Sequence, residues 1–113
     1  MEKALIIRPE WLKKIFTTGK TWEMRSTKTT ITGRIGLIEA GTGLIVGEAT
    51  LTGNGPEITD MYVAAVTQKF HQVEDWDLLR KWRFPWVLED VKKYEKPIPY
   101  EHPQGAVTWV KLS

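Results

Sequence analysis

The chain has 113 residues, 42% hydrophobic and 27% charged, which is the composition of a globular protein and a length that fits one domain with one core. A formal net charge of +2 excludes polyanion binding through the overall field, so any such binding must depend on a local basic cluster. The absence of cysteine excludes a disulfide framework, and no apolar run is long enough to span a membrane. We therefore expect a single domain over residues 1–113, with no signal segment or membrane association, in the cytoplasm.

The first quarter of the chain predicts a strand, a helix and a second strand. Residues 4–7 are a short apolar run of the strand type, and Pro9 suits the first position of a helix. Apolar residues then recur at helical spacing until Gly19, which is the expected helix stop. Residues 22–25 follow as a short strand.

The middle of the chain predicts a β-hairpin. Residues 35–38 and 44–51 have strand character and are joined through a Gly-Thr-Gly turn. Alternation along the second strand predicts that one of its faces carries Ile45, Gly47, Ala49 and Leu51.

The rest of the chain predicts two helices followed by strands. Helical spacing of apolar residues favours a helix over 57–70 and a short one over 75–82. Alternation favours strands over 84–89 and 107–112, and two prolines make residues 96–100 an extended crossing. The pattern indicates an α+β domain with a curled sheet or small barrel of mostly antiparallel strands.

The most informative segment is the strand that follows Gly19. If it is extended, Trp22 and Met24 point one way while Glu23 and Arg25 point the other, with each pair roughly 7 Å apart along the strand. Lys20 lies in the preceding turn and could fold back toward the charged pair. The segment therefore predicts a small cationic site with an embedded carboxylate, although a salt-bridged edge strand explains the same residues.

Several motifs, in one order along nearly the whole chain, resemble the ASCH domain family. The central one is Lys20-x-x-Glu23-x-Arg25. The others are Leu-Ile-Ile-Arg-Pro-Glu-Trp at 5–11, Ile-Val-Gly-Glu-Ala at 45–49, Trp-Val-Leu at 86–88, Pro-Ile-Pro at 97–99 and Gly-Ala-Val-Thr-Trp at 105–109. The resemblance implies a PUA-like β-barrel of five or six strands with flanking helices and a cleft beside the central motif.

The resemblance also implies RNA binding or RNA processing. Some single-domain bacterial members resemble enzymes, namely a ribonuclease in one branch and an amidohydrolase acting on acetylated cytidine in another. In the amidohydrolase branch the signature lysine activates a threonine three positions later, and Glu23 occupies that position here. If the protein is an enzyme, Lys20 and Glu23 are the candidate catalytic residues.

A binding site requires less of these residues than catalysis does. Lys20, Arg25 and Arg8 could hold a phosphate, because guanidinium groups match phosphate oxygens and lysine adds a mobile charge. Glu23 could orient Arg25 or accept a hydrogen bond from a base amino group. The stacking plane for an unpaired base could come from Trp11, Trp22, Trp86 or Tyr100, although a tryptophan in a domain of this size is more often a core residue.

Other candidates are an aromatic residue and a polar loop, in which Lys28 is a possible contact at the rim of the cleft. The aromatic residue is Tyr100, and Ser26 and Lys28 belong to a polar loop that could follow a phosphate backbone, although a solvated turn is the simpler interpretation. His71 and His102 do not share a metal-ligand spacing, so we expect no metal and no cofactor. A short basic cluster around Trp82 indicates a solvated helix face.

We conclude from the sequence that an ASCH-like barrel binds single-stranded RNA or a nucleotide in a cleft around Lys20, Glu23 and Arg25. Two alternatives remain open. One is a small hydrolase, either a ribonuclease or a nucleoside amidohydrolase, that uses Lys20 and Glu23. The other is a protein-interaction module that kept the barrel and lost the ligand. The sequence does not indicate an oligomeric state.

Overall fold

The computed structural model describes residues 1–112, which form six strands and four helices. In chain order the elements are β1 (Lys3–Ile7), α1 (Pro9–Thr17), β2 (Trp22–Arg25), β3 (Gly33–Glu39), β4 (Leu44–Asn54), α2 (Met61–Val66), α3 (Gln68–His71), α4 (Trp76–Lys81), β5 (Phe84–Pro99) and β6 (Trp109–Lys111).

The six strands form one mixed sheet in the order β2-β5-β4-β3-β1-β6. β1 and β3 run parallel, and every other neighbouring pair is antiparallel. The sheet forms a half-barrel flanked by helices, which confirms the predicted α+β class and the PUA-like arrangement of mostly antiparallel strands.

Helix α1 follows the sequence signals. Pro9 is its first residue, where a missing N–H is harmless, and Glu10 places a negative charge in the first turn. Leu12 and Ile15 are buried against the sheet. The chain turns after the helix at Gly19, whose φ of 76° favours glycine, as predicted.

The hairpin of β3 and β4 also agrees with its pattern. Burial alternates along the first eight residues of β4, and the buried face carries the four residues that the sequence predicted. This face packs toward α1, and a Cβ at Gly47 would lie 2.8 Å from Cζ of Phe16. The glycine therefore allows the Phe16 ring to lie directly on the sheet.

The helix predicted over 57–70 is wrong in its extent, because the chain forms two shorter helices, α2 and α3. Ile58 is apolar but lies before α2, where its N–H donates to Arg83 O (2.9 Å) and its side chain is buried. Asp60 then caps α2 by accepting a hydrogen bond from Val63 N (2.9 Å). The spacing of apolar residues could not show whether Ile58 is buried as part of a helix or as part of the extended segment before it.

Strand β5 is longer than predicted. The strand expected over 84–89 and the extended crossing over 96–100 belong to one strand of 16 residues. Asp90 interrupts it with a φ of 50°, and the register against β4 shifts on both sides of this position. Pro97 and Pro99 are tolerated because β2 pairs only with the first four residues of β5, which leaves the far end at an open edge.

Strand β6 is shorter than the predicted 107–112. Only Trp109 to Lys111 pair with β1. It forms one edge of the sheet, and β2 forms the other.

The core has three parts that determine where the site lies. The largest lies between α1 and the sheet, the second lies between β2 and helices α2 to α4, and the third lies near β6. Trp11 packs against both the first and the second, so it lies at their boundary.

Candidate functional site

Strand β2 has the orientation predicted from strand alternation. Trp22 is buried and stacks on Phe70, with ring centroids 4.9 Å apart, and Met24 is buried in the same cluster. Glu23 and Arg25 line a cleft of about 170 Å³. The charged face of the motif therefore borders a cavity.

The Arg25 guanidinium is held on two sides. Its Nε and Nη2 donate to Glu23 Oε2 at 3.2 and 2.9 Å, and Nη2 also donates to Ile6 O at 2.8 Å. The guanidinium carbon lies 5.4 Å from the centroid of the Trp86 ring, a cation–π distance. Within residues 1–112, Nη1 has no hydrogen-bond partner, so two N–H groups of Arg25 are available to a ligand.

The Glu23 carboxylate is only 4% exposed and lines the cleft. Both hydrogen bonds that it accepts from the described residues go to Oε2. Its Oε1 is therefore an acceptor without a protein partner in the part of the chain that the structure describes. The cleft thus has an oriented acceptor and an oriented donor.

Lys20 is placed differently from the sequence expectation. The turn at Gly19 brings its side chain inward, where it is 1% exposed, and Nζ donates to Trp22 O (2.6 Å) and to His71 O. Nζ also lies 5.1 Å from the centroid of the Trp11 ring, but Lys20 is not among the residues that line the cleft. Its two hydrogen bonds connect β2 to α3, so Lys20 stabilises the strand that carries Glu23 and Arg25 without lining the cleft itself.

Burial lowers the pKa of Lys20 to about 8, and the nearby Glu23 carboxylate partly opposes this shift. An ammonium group has three N–H donors and a neutral amine has two. Both backbone carbonyls can therefore keep their hydrogen bonds in either protonation state.

His71 is a buried support residue that the sequence pattern did not assign to the site. Its Nδ1 accepts from Val73 N (3.0 Å), so Nε2 carries the proton and donates to Ala64 O (2.8 Å). Burial lowers the pKa of His71. The neutral ring therefore holds the end of α3, where the His71 carbonyl accepts the hydrogen bond from Lys20.

The aromatic wall of the cleft consists of Trp11 and Trp82, both half-buried. Trp11 comes from the first turn of α1, as the sequence suggested. Trp82 directly follows α4, and the Arg8 guanidinium carbon lies 5.3 Å from its ring centroid. The sequence analysis did not predict Trp82 as a site residue. The only signal for it was its position at the end of a short predicted helix, outside the apolar face of that helix.

Besides Lys20, three predicted residues do not line the cleft. Ser26 and Lys28 are exposed in the loop after β2 and do not line the cavity. Tyr100 packs against the third core cluster, and its hydroxyl bonds His102 Nδ1 at 2.7 Å. Of the eight predicted binding residues, the cavity is lined by Arg8, Trp11, Glu23 and Arg25.

Neither a metal cluster nor a membrane-spanning helix occurs in the described part of the chain. No group of three or more histidine, cysteine, aspartate or glutamate side chains within residues 1–112 is arranged to hold a metal ion. None of the helices in this range has the length and apolar character needed to cross a membrane.

The solved structures similar to this chain include three crystal structures of the ASCH protein from Zymomonas mobilis. One is that protein itself, and the others are a serine-to-alanine and a tyrosine-to-phenylalanine mutant of it. Each is 16% identical, with a TM-score of 0.72 over 99% of this chain and 87%, 88% and 90% of theirs, respectively. At this identity the likeness shows the fold alone.

Comparison with curated proteins finds no match. The model of the ASCH domain family matches residues 5–98, which include β2 to β4, all four helices and the Lys-x-x-Glu-x-Arg segment. This match covers most of the chain and agrees with the half-barrel fold. The chain therefore belongs to the ASCH domain family.

Proposed function

We propose that this ASCH domain binds single-stranded RNA by accepting one unpaired base into the cleft between β2, α1 and the end of α4. The observation that carries this proposal is the Glu23 carboxylate, which is held by Arg25 and keeps one oxygen open inside a cavity walled by two indoles. Four properties of the cleft support it: size, polar groups, stacking surface and charge.

The size of the cleft favours a single ring system. Its volume is about 170 Å³, whereas pockets for drug-sized ligands usually measure roughly 300–1,000 Å³. One base can enter a cavity of this size, and the rest of a nucleotide must remain at its mouth. A base that is paired in a duplex cannot enter, so the ligand must be single-stranded or unstacked.

The polar groups favour a base with an exocyclic amino group. Carboxylates accept hydrogen bonds from the amino groups of bases, and Glu23 Oε1 is open for this purpose. Arg25 Nη1 can donate to a ring nitrogen or carbonyl of the same base. Because uracil lacks an amino group, we expect cytosine, adenine or guanine to bind more tightly than uracil.

The aromatic wall provides the stacking surface. Unpaired bases stack on aromatic rings and on arginine planes, and the cleft has Trp11, Trp82 and the Arg8 guanidinium that lies over Trp82. Arg8 is exposed, so it can contact both the base and the adjacent phosphate.

Charge at the cleft differs from the expectation of a phosphate cradle. Arg25 is paired with Glu23, and Lys20 donates to backbone carbonyls, which leaves Arg8 as the cation at the mouth. The interior of the cleft therefore suits a neutral base, and the phosphate belongs at the mouth beside Arg8.

A hydrolase that uses Lys20 and Glu23 remains the second candidate. The observation in its favour is the lowered pKa of Lys20, since perturbed pKa values cluster at functional sites. The observation against a hydrolase is that Lys20 and Glu23 both form hydrogen bonds with other groups of the protein. Turnover assays, argued below, separate the two candidates.

The proposal is tested by measuring binding of CMP, AMP, GMP and UMP, and of short single-stranded RNAs, through tryptophan fluorescence or NMR shifts. We expect Glu23→Gln to weaken binding of the preferred nucleotide about 10- to 100-fold, the usual worth of a hydrogen bond to a charged group. Trp82→Leu should weaken all four nucleotides by removing the stacking plane.

The matched control is Glu89→Gln, which removes the same charge from an exposed position on β5. It should bind like the parent protein. Equal binding by the parent, Glu23→Gln and Trp82→Leu, with all variants folded by circular dichroism, would place any RNA site elsewhere on the molecule.

A further inference from the structure

A second cavity lies on the other side of α1. It measures about 410 Å³, and its walls include Phe16 from α1, Val46 from β4 and Tyr94 and Pro97 from β5. None of these residues belongs to the site predicted from the sequence. We call this cavity the flanking pocket.

The floor of the flanking pocket is aromatic and fixed. Gly47 allows the Phe16 ring to lie on the sheet, because a Cβ there would lie 2.8 Å from Cζ of Phe16 and 2.5 Å from Lys92 O. Tyr94 donates its hydroxyl to Glu48 Oε1 (2.8 Å), and burial raises its pKa to about 12. Two planar side chains are therefore held at this surface, which is the arrangement that supports base stacking.

The rim of the flanking pocket is basic. Lys13 and Lys93 line it, both are exposed, and neither forms a salt bridge with another described residue. Lys93 Nζ lies 5.9 Å from the centroid of the Phe16 ring, so cationic and aromatic groups are side by side. Glu39 is the acidic residue in the lining.

The flanking pocket adjoins the cleft. Arg8 and Ala40 line the cleft, while their chain neighbours Pro9 and Glu39 line the flanking pocket. The segments around Arg8 and Ala40 are joined by a hydrogen bond from Ala40 N to Ile7 O (2.9 Å). A strand of RNA that leaves the cleft at Arg8 can therefore pass over Pro9 and enter the flanking pocket.

We propose that the flanking pocket is a second nucleotide subsite, so that the ligand is an oligonucleotide rather than a free nucleotide. This inference rests on the proposed function of the cleft. The base next to the one in the cleft stacks against Phe16 and Tyr94, and its phosphate lies between Lys13 and Lys93. The combination of two exposed lysines with fixed aromatic planes and direct continuity with the cleft favours this occupant over an apolar peptide.

The test compares a mononucleotide with a tetranucleotide on three proteins: the parent, the double variant Lys13→Ala/Lys93→Ala, and a control double variant Lys69→Ala/Lys111→Ala. The control removes the same two positive charges from positions outside both cavities. We expect the parent and the control to bind the tetranucleotide at least about tenfold more tightly than the mononucleotide, since linked sites gain affinity. The Lys13→Ala/Lys93→Ala protein should lose this gain and bind the mononucleotide as the parent does.

Salt dependence provides a second measurement. For the tetranucleotide, the slope of log K against log salt should decrease in magnitude by about 0.7 for each phosphate that Lys13→Ala/Lys93→Ala no longer neutralises. The subsite is refuted, and the cleft proposal kept, if the parent binds both ligands equally or the two double variants behave alike. If neither ligand binds the parent, the cleft proposal is refuted as well. Binding of an apolar peptide that Lys13→Ala/Lys93→Ala leaves unchanged would assign the pocket to a protein partner.

Discussion

At the residue scale, the candidate site depends on two buried polar side chains, Lys20 and His71, which are joined by the hydrogen bond from Lys20 Nζ to His71 O. Alternation predicted that Trp22 points inward and Glu23 toward the cleft, because a strand has only two faces. Lys20 belongs to a turn, where no such periodicity exists, and its direction depends on the φ of Gly19 and on a carbonyl from α3.

The protonation of Lys20 leads to a prediction about stability. Its pKa is about 8 in the folded protein, against an ordinary lysine value of 10.5, so between these pH values the unfolded chain binds more protons than the folded one. The contribution of Lys20 to stability therefore increases as pH rises through this window, by at most about 3 kcal/mol, since one pKa unit corresponds to about 1.4 kcal/mol. We expect the destabilisation caused by Lys20→Met to grow from pH 7.5 to pH 10.

The measurement is urea unfolding of the parent and of Lys20→Met at several pH values. Other titrating groups affect both proteins and cancel in the difference. The control variant Lys28→Met, which changes an exposed lysine, should show no such trend relative to the parent. A constant difference between the parent and Lys20→Met across the window would contradict the burial of the ammonium group.

His71 leads to a prediction at the acidic end of the pH range. Its pKa is lowered from 6.5 by burial, so below about pH 6.5 the unfolded chain takes up the proton first and stability decreases as the solution is acidified. We expect His71→Gln to be less stable than the parent at pH 7 and to lose less stability between pH 7 and pH 5. Thermal unfolding at both pH values measures this, and His102→Gln, which alters an exposed ring, is the control.

At the element scale, the sequence predicted α1, β1, β2 and the hairpin because each has a period or a turn signal of its own. It failed where a partner far along the chain decides the outcome. Ile58 is held by Arg83 O and not by a helix, and the two halves of β5 are joined because both pair with β4. Trp82 reaches the cleft for the same reason, since the strand that follows it returns beside β2.

A substitution at Gly47 would test the packing between α1 and β4. A methyl group at this position would contact both the Phe16 ring and a backbone carbonyl of β5, so Gly47→Ala should destabilise the protein by about 1–3 kcal/mol through overpacking. Gly55→Ala is the matched control, because its nearest contact would be 3.2 Å from Pro85 Cβ. Urea unfolding that ranks the two variants equally would contradict the close approach of Phe16 to the sheet.

At the scale of the whole molecule, a net charge of +2 gives no general attraction for RNA, so the arrangement of the surface decides the function. The motifs led to Arg8, Trp11, Glu23 and Arg25, which the fold brings together around one cleft. Tyr100 was predicted for the same site because an aromatic ring can stack on an unpaired base. The half-barrel separates it from the cleft, since Tyr100 packs against the third core cluster while the cleft lies beside α1 and α4.

The last prediction separates binding from catalysis. At neutral pH an amine with a pKa of about 8 is mostly protonated and lacks the lone pair that a general base or nucleophile needs. Lys20 also donates to two backbone carbonyls, and Glu23 accepts two hydrogen bonds from Arg25. We therefore expect the purified protein to bind single-stranded RNA without cleaving it and to leave acetylated cytidine intact over hours.

The measurement is product formation by the parent, Glu23→Gln and Lys20→Met, purified identically and checked for folding. A trace of contaminating nuclease would appear in all three at the same rate, whereas a positioned acid or base contributes about two to four orders of magnitude and would be lost with its residue. Multiple turnovers by the parent that disappear in both variants would establish the hydrolase in place of the binding site. Loss of affinity in Glu23→Gln with no product from any of the three proteins would instead leave recognition of an amino-bearing base as the role of this carboxylate.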